Sequence, residues 1–432
     1  MDGVDMSGIR FALNKRIFRQ LLSAAMLLMV GLVSGCMNPA VYDGPNYAQQ
    51  TINPVVHGRT IGEGSVRVGL LLPLSKLEAS QQQAPVAVAQ NVSAYPQQTT
   101  GTQANEVANL FENAAKMALT DFQGADIQFL VKDTQGTQDG AEAAARAAIS
   151  EGAELLIGPI YGPAVKGASR IARRAGVPVI GFSSDTNAAS QGTYLLSFLP
   201  ESDVTRIISF AHEQERVSYA AMLPNNSYGA VVEASFRQAV GSFGGRIVTI
   251  ERYTPGDVDD IRAKASKIGK LASQVDALFI PEGGGVPPFV MQVLTENGAS
   301  TGSIKILGSG LWNTPDLLKS PVMAGSWFPA PDDQNFKRFA ERYQQAYGQV
   351  PPRNASLAYD AAILAAGLVR SAGADRFTPR VLTNQDGFLG IDGIFRFRQD
   401  GIIQRGLAVY AVSSKGAAKV VSPAPRTFSN HF

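Results

Sequence analysis

DTQGTQDGAEAAARAAISEGAELLIGP, residues 133–159, is the stretch whose reading decides the fold. Just before it, Ile127 to Val131 is a short apolar run of strand type. Inside it, the alanine-dense segment from about Asp139 to Ser150 reads as a helix, with Asp139 as its start signal because a side-chain oxygen there satisfies free helix N–H groups. Glu154 to Ile157 is a second short strand. Strand, helix and strand at this spacing make a crossover unit, which places the two strands parallel and gives the connection a right hand.

The same rhythm extends in both directions. Upstream, Val66 to Leu72 has a buried-strand pattern ended by Pro73, and Phe111, Ala114, Ala115, Ala118, Leu119 and Phe122 fall on one face of a helix. Downstream come a helix from Pro163 and a strand from Pro178 to Phe182. The second half repeats the alternation, with strands at Val217–Met222, Arg246–Ile250, Ala277–Ile280 and Ile304–Leu307 and a helix at about Gly229–Ser242. Late in the chain, Leu357, Ala361, Leu364 and Leu368 mark another helix, and Gly387 to Phe397 and Leu407 to Val412 are strand pieces. Two alternating runs predict an α/β fold of two doubly wound parallel-sheet lobes, with ligands bound beyond the carboxyl ends of the strands. The late helix and strands predict that the chain crosses back between the lobes.

The N-terminal region has a different grammar. Arg10, Lys15, Arg16 and Arg19 precede an apolar run from Leu21 to Val33, which stops at Ser34-Gly35-Cys36. A basic head, a short apolar middle and small residues predict a signal peptide over 1–35, since the run is shorter than the roughly 20 residues of a membrane span. Val33-Ser34-Gly35-Cys36 resembles the bacterial lipobox, which implies cleavage before Cys36 and a lipid on that residue. Met37 follows it. In enterobacterial lipoproteins an aspartate at that place favours the inner membrane, so the resemblance implies a periplasmic, lipid-anchored protein at the outer membrane. Residues 36–64 read as a flexible tether, and 76–103, rich in Gln, Ala, Pro and Thr, as a mobile insertion.

Composition narrows the function further. Cys36 is the single cysteine, so an intramolecular disulfide is excluded. A net charge of +2, with 17% charged residues, argues against nucleic acid as a partner. His57, His212 and His431 are far apart in sequence, and no metal-spaced His/Cys cluster, nucleophile elbow or dinucleotide loop is present. Gly283-Gly284-Gly285 follows a strand, but Val286-Pro287-Pro288 comes next and no P-loop lysine does, so a strand-to-helix turn is the better reading. No catalytic residue, metal or cofactor is expected.

Several strings together resemble type I periplasmic-binding proteins of the leucine/isoleucine/valine-receptor class. They are VRVGLLLPLS (66–75), NAAKMALTDF (113–122), the opening stretch, AGVPVIGFSSDTNA (175–188), NNSYGAVVEASF (225–236) and FAERYQQAYGQVPPRNASLAYDAAILAAGLV (339–369). The resemblance covers about Ser65 to Val412 and implies two lobes joined by a three-crossing hinge. Mapped here, one lobe is 65–198 plus 328–385 and the other 199–327 plus 386–421. The anchor, the insertion and YLLSFLPESDVTRI (194–207) are most similar to lipoprotein activators of penicillin-binding proteins.

That class supplies the candidate site. The loop Ile160-Tyr161-Gly162-Pro163 matches a carboxylate-binding loop but has no Ser or Thr; Tyr161 either stacks on a ligand or seals the lobe edge. Ser183, Ser184, Asp185, Thr186 and Asn187 supply hydroxyls, an acid and helix-start amides, for a ligand or for capping the next segment. Tyr228 matches a family aromatic near the cleft, with packing at a helix start as the alternative. The receptor class places an acid for the ligand's ammonium in the loop corresponding to Gly308-Ser309-Gly310-Leu311-Trp312, which has none. Glu282 either substitutes or is a solvated loop carboxylate, and Trp312 either closes an apolar pocket or packs in the core or hinge. An amino acid's charges left uncompensated in a dry cleft are costly. The expectation is therefore a non-enzymatic lipoprotein that activates or positions a peptidoglycan synthase. The alternative is the binding protein of an ABC importer for amino acids or a related small polar solute.

Overall fold

The computed structural model describes residues 59–75, 101–299 and 304–428. The expected signal peptide, Cys36, most of the tether, residues 76–100 of the insertion, His57 and His431 lie outside the described residues.

The first run comprises β1 (Arg59–Ile61), β2 (Val66–Leu72), α1 (Gly101–Asp121), β3 (Ile127–Asp133), α2 (Gln138–Ser150), β4 (Ala153–Ile157), α3 (Gly162–Ala175), β5 (Val179–Gly181) and β6 (Thr193–Leu195). Its sheet has the order β1-β3-β2-β4-β5-β6. All neighbours are parallel except β1, which runs antiparallel along the β3 edge. Pairing of Val66 with Ile127 through Leu72 with Asp133 sends alternate side chains to opposite faces. Val68, Leu70 and Leu72 enter the core shared with α1, whereas Leu71 and Leu130 face α2 and α3. The α2–α3 contact is made of small residues, Ala141, Ala144, Ala145 and Ala148 against Ala164, Ala168 and Ala172. The cap of α2 is Thr137, whose hydroxyl accepts the Gly140 N–H at 3.0 Å; Asp139 sits in the first turn.

The second run comprises α4 (Pro200–Glu213), β7 (Ser218–Pro224), α5 (Ser227–Ser242), β8 (Arg246–Tyr253), α6 (Val258–Gly269), β9 (Ala277–Phe279), α7 (Val286–Glu296), β10 (Lys305–Leu307), α8 (Pro315–Lys319) and β11 (Trp327–Ala330). There follow α9 (Asp333–Tyr347), α10 (Ala355–Ser371), α11 (Pro379–Leu382), β12 (Phe388–Gly390), β13 (Gly393–Phe397), β14 (Ile403–Arg405), β15 (Ala408–Val412) and β16 (Ala418–Ser422). The second sheet has the order β16-β15-β11-β10-β9-β7-β8, parallel from β11 to β8 and closed by antiparallel β15 and β16. Its two faces are covered by α6 and α7 on one side and by α4 and α5 on the other.

Helices α9 and α10 return to the first core, where Phe339, Tyr343, Leu357 and Ala361 pack with Phe111 and Phe129. The small antiparallel sheet β12-β13-β14 goes with them, through Phe395, Phe397 and Ile403. The chain therefore passes between lobes three times: after Leu199, after Ala330 and after Arg405.

Four boundaries differ from the sequence reading. Residues 386–405, expected in the second lobe, belong to the first, because the apolar faces of β13 and β14 are buried against α10's core. Strand β11, split by the expected boundary at 327/328, pairs along its whole length with β15 and at Trp327 with Leu307 of β10. Residues 59–61, expected in the tether, form an edge strand, and α1 begins at Gly101, inside the expected insertion.

Candidate functional site

The carboxyl ends of the parallel strands carry the candidate residues of both lobes. In the first lobe, the loops after β4 and β5 meet at Gly162, the first residue of α3. A Cβ built on Gly162 would lie 2.9 Å from Asp185 Oδ2 and 3.3 Å from Ser183 Oγ. The Asp185 carboxylate thus rests against the start of α3, where helix amides favour negative charge. Lys166, one turn into α3, donates to Asp185 Oδ2 at 2.9 Å. Burial pushes the Asp185 carboxyl up, but hydrogen bonds from Lys166 and Asn187 more than offset it and hold the group below the usual carboxylate range.

Ser183 and Asp185 also shape the loop itself. Ser183, buried, accepts the Asp185 N–H at 3.0 Å, and Asp185 accepts from the Asn187 backbone at 3.1 Å as it caps a single 3-10 turn, Thr186–Ala188. Ser184 and Thr186 are half-buried. Tyr161 precedes α3 without a side-chain cap and packs against both cores of the first lobe.

In the second lobe, the loops after β7, β9 and β10 meet at the Pro281 carbonyl. It accepts the hydroxyls of Ser309 at 2.6 Å and Tyr228 at 3.3 Å. Burial, with Asp203, Glu282 and Glu201 nearby, raises the Tyr228 phenol above its ordinary value, against a hydrogen bond with Ser309. Asp203, in the first turn of α4, accepts the Gly310 N–H at 2.8 Å and so pins the loop after β10 to the helix that follows the first crossing. Burial raises the carboxyls of Glu201 and Glu282. One Glu201 oxygen is buried without a hydrogen-bond partner, and Glu282 accepts the Tyr253 hydroxyl. No cationic side chain contributes to either shift.

Trp312 takes the packing alternative. It is fully buried in the second core, its ring lies on the Gly308 backbone, and its indole N–H donates to the Glu282 carbonyl at 2.9 Å. It shapes the loop that carries Glu282 and does not present a face to a pocket. Glu282 is half-buried, not a solvated loop carboxylate. Tyr161 and the 183–187 loop therefore form one group, and Tyr228, Glu282 and Trp312 another. Glu201 and Asp203 join the second group and were not singled out in the sequence. Their signal, two acids straight after Pro200, is the ordinary dress of a helix start. Among the described residues no group of His, Cys, Asp or Glu could hold a metal ion.

Two α/β lobes, three crossings and polar groups on the strand ends of each lobe define a bilobal binding protein. The chain belongs to the periplasmic binding protein family, whose sequence model matches residues 94–417. Among solved structures it is similar to one from Rhodospirillum rubrum assigned to a branched-chain amino acid ABC transporter, at 19% identity, covering 82% of this chain and 99% of that one, with a TM-score of 0.67. A branched-chain amino acid transporter structure from Rhodopseudomonas palustris has 16% identity, coverage of 83% and 95%, and a TM-score of 0.61. A substrate-binding protein from Desulfitobacterium hafniense in complex with Leu has 18% identity, coverage of 82% and 99%, and a TM-score of 0.54. No curated protein matches the chain. Membership makes this a non-enzymatic binding protein and implies a periplasmic location.

Proposed function

We propose that this chain is a lipid-anchored solute-binding protein, tethered through Cys36, that closes on a small polar solute bearing an ammonium or other cationic end and presents it to an ABC importer. The observation that carries this reading is the trio Glu201, Asp203 and Glu282 around Tyr228. Their field acts on the Tyr228 phenol, and the carboxyls of Glu201 and Glu282 are desolvated without a cation from the protein. A buried negative charge of that kind is relieved by a bound cation. The first lobe points the same way, because its helix-start position is filled by the protein's own Asp185 and not left for a ligand carboxylate. The names of the similar structures, importer-binding proteins for amino acids, support solute binding.

A second reading, an outer-membrane activator of a peptidoglycan synthase, is favoured by the engagement of candidate ligand groups within the protein: Lys166 on Asp185 and the Tyr253 hydroxyl on Glu282. Thermal melting against a panel of amines, amino acids and aromatic carboxylates separates the two, since a ligand that binds only the folded state raises the melting temperature. Amines or amino acids that raise it, with the shift lost in Glu201→Gln, support the importer reading. A shift with carboxylates alone contradicts the cationic assignment. No shift from any solute, together with recovery of a transpeptidase by the lipidated protein pulled from membranes, establishes the second reading instead.

A further inference from the structure

A chain of charges touches all three crossings at their first-lobe ends. Arg405, the last residue of β14, stands at the third crossing and is 6% exposed. Its Nε donates to the Ser197 carbonyl at 2.9 Å, and its guanidinium lies 4.6 Å from the Phe198 ring centroid, so it grips the first crossing. Asp392, fully buried, accepts from Arg353 at 2.6 Å and from the Ser356 hydroxyl at 2.5 Å. Arg353 also pairs with Asp333, which opens α9 just past the second crossing. Asp360, on α10 and 3% exposed, accepts the Ile391 N–H at 2.8 Å.

Two members of this chain are left unfinished. Both terminal nitrogens of Arg405 and one oxygen of Asp360 are buried without a hydrogen-bond partner. Native proteins rarely leave buried polar atoms so, and opposite charges in one buried cluster are costly to hold apart. Plain fold stability does not require this arrangement, since the core around α1 and α10 is continuous and apolar. We propose that Arg405 is a hinge-positioning residue that holds the first and third crossings together and so sets the angle between the lobes, with Asp360 as the charge that tunes its hold.

The tuning follows from the surroundings. The charged groups around Asp360 are Asp392 from the β12–β13 turn and Arg405 from β14, with the Ile391 N–H beside them. Burial first, and then Asp392, push the Asp360 carboxyl up to about 7, against the pull of the Ile391 N–H and Arg405. The oxygens of Asp392 are already engaged by Arg353 and Ser356. Two carboxylates act on Arg405, Asp392 more strongly than Asp360, and only Asp360 has an unpartnered oxygen. Protonating Asp360 therefore removes one of the two countercharges of Arg405 and leaves Asp392 shared with Arg353 and Ser356, so the grip on the crossings loosens below neutrality.

The test measures the interlobe distance without any solute, so it stands or falls apart from the proposed ligand. Spin labels are placed at Arg174→Cys in the first lobe and Lys270→Cys in the second, both exposed positions, in a Cys36→Ser chain. The otherwise unsubstituted chain is expected to give a narrow distance distribution at pH 8 that broadens with a midpoint near pH 7. Asp360→Asn, nearly isosteric, is expected to show the broad form at every pH. Arg405→Lys keeps the charge but loses the planar fork, and is also expected to be broad throughout. A distribution that is the same at pH 5 and pH 8 in the unsubstituted chain, or narrow at pH 8 in Asp360→Asn, overturns the proposal even if Arg405→Lys does not fold.

Discussion

Gly308 has no room for a methyl group. A Cβ there would lie 2.1 Å from the Trp312 ring, which is fully buried and holds the Glu282 carbonyl. Gly308→Ala must push the indole out of its seat, an overpacking cost of about 1–3 kcal/mol that a urea midpoint will show as a loss. Asp360 makes a second prediction at this scale. Its folded-state carboxyl is pushed from 3.8 up to about 7, so the native state binds the proton more tightly than the unfolded chain. That preference is fully present below the unfolded value and is lost as pH rises through about 7, at roughly 1.4 kcal/mol per unit of displacement. Asp360→Asn should therefore melt higher than the unsubstituted chain at pH 8, and the two curves should converge near pH 4; equal melting at pH 8 contradicts the burial argument. Neither effect was legible in the sequence. Trp312 and Gly308 are four residues apart and look independent until a 3-10 turn folds one onto the other, and Asp360 reads as one polar residue in an apolar helix.

At the scale of elements, the alanine run that announces α2 also dictates how it packs. Four alanines on one face let α3 approach closely through Ala164, Gly167 and Ala168, and a Cβ on Gly167 would come within 2.4 Å of the Gln138 carbonyl. Ala145→Leu forces the helices apart and should cost about 1–3 kcal/mol, whereas an exposed change such as Arg174→Ala should cost under about 0.5 kcal/mol. Thr137→Ala removes the α2 cap and should cost about 1 kcal/mol. If Ala145→Leu proves silent in thermal melts, the close-packed contact is wrong. The helix itself is plain in the sequence because its period and composition are local; its cap lies at Thr137, two residues before Asp139, because both are good cap residues and only the fold chooses between them. Strand type was likewise legible in β2, β3, β4, β7, β9 and β10. Strand partnership was not, because Phe395, Phe397 and Ile403 say only that β13 and β14 have an apolar face, not which core receives it.

At the scale of the molecule, three crossings make each lobe discontinuous, and this determines what can fold alone. Every strand of the first sheet lies before residue 200, yet the face bearing Val68, Leu70, Phe111 and Phe129 is finished by Leu357, Ala361, Leu364, Phe395 and Phe397 from far along the chain. At about 25 cal/mol per Å², leaving such a face wet removes much of the driving force for the lobe. A fragment of residues 59–199 is thus expected to lack a cooperative melt and to bind an apolar dye. Joining 331–406 to it through a short flexible linker supplies α9, α10 and the small sheet, and is expected to restore both the melt and the dye exclusion. The second lobe gives the matching case: 200–330 lacks only the two antiparallel strands β15 and β16, which extend the sheet beyond β11, so its deficit is confined to one sheet edge. That fragment should retain more near-ultraviolet dichroism than 59–199. A sharp, reversible melt from 59–199 alone would show that the returning helices decorate the first core and do not complete it.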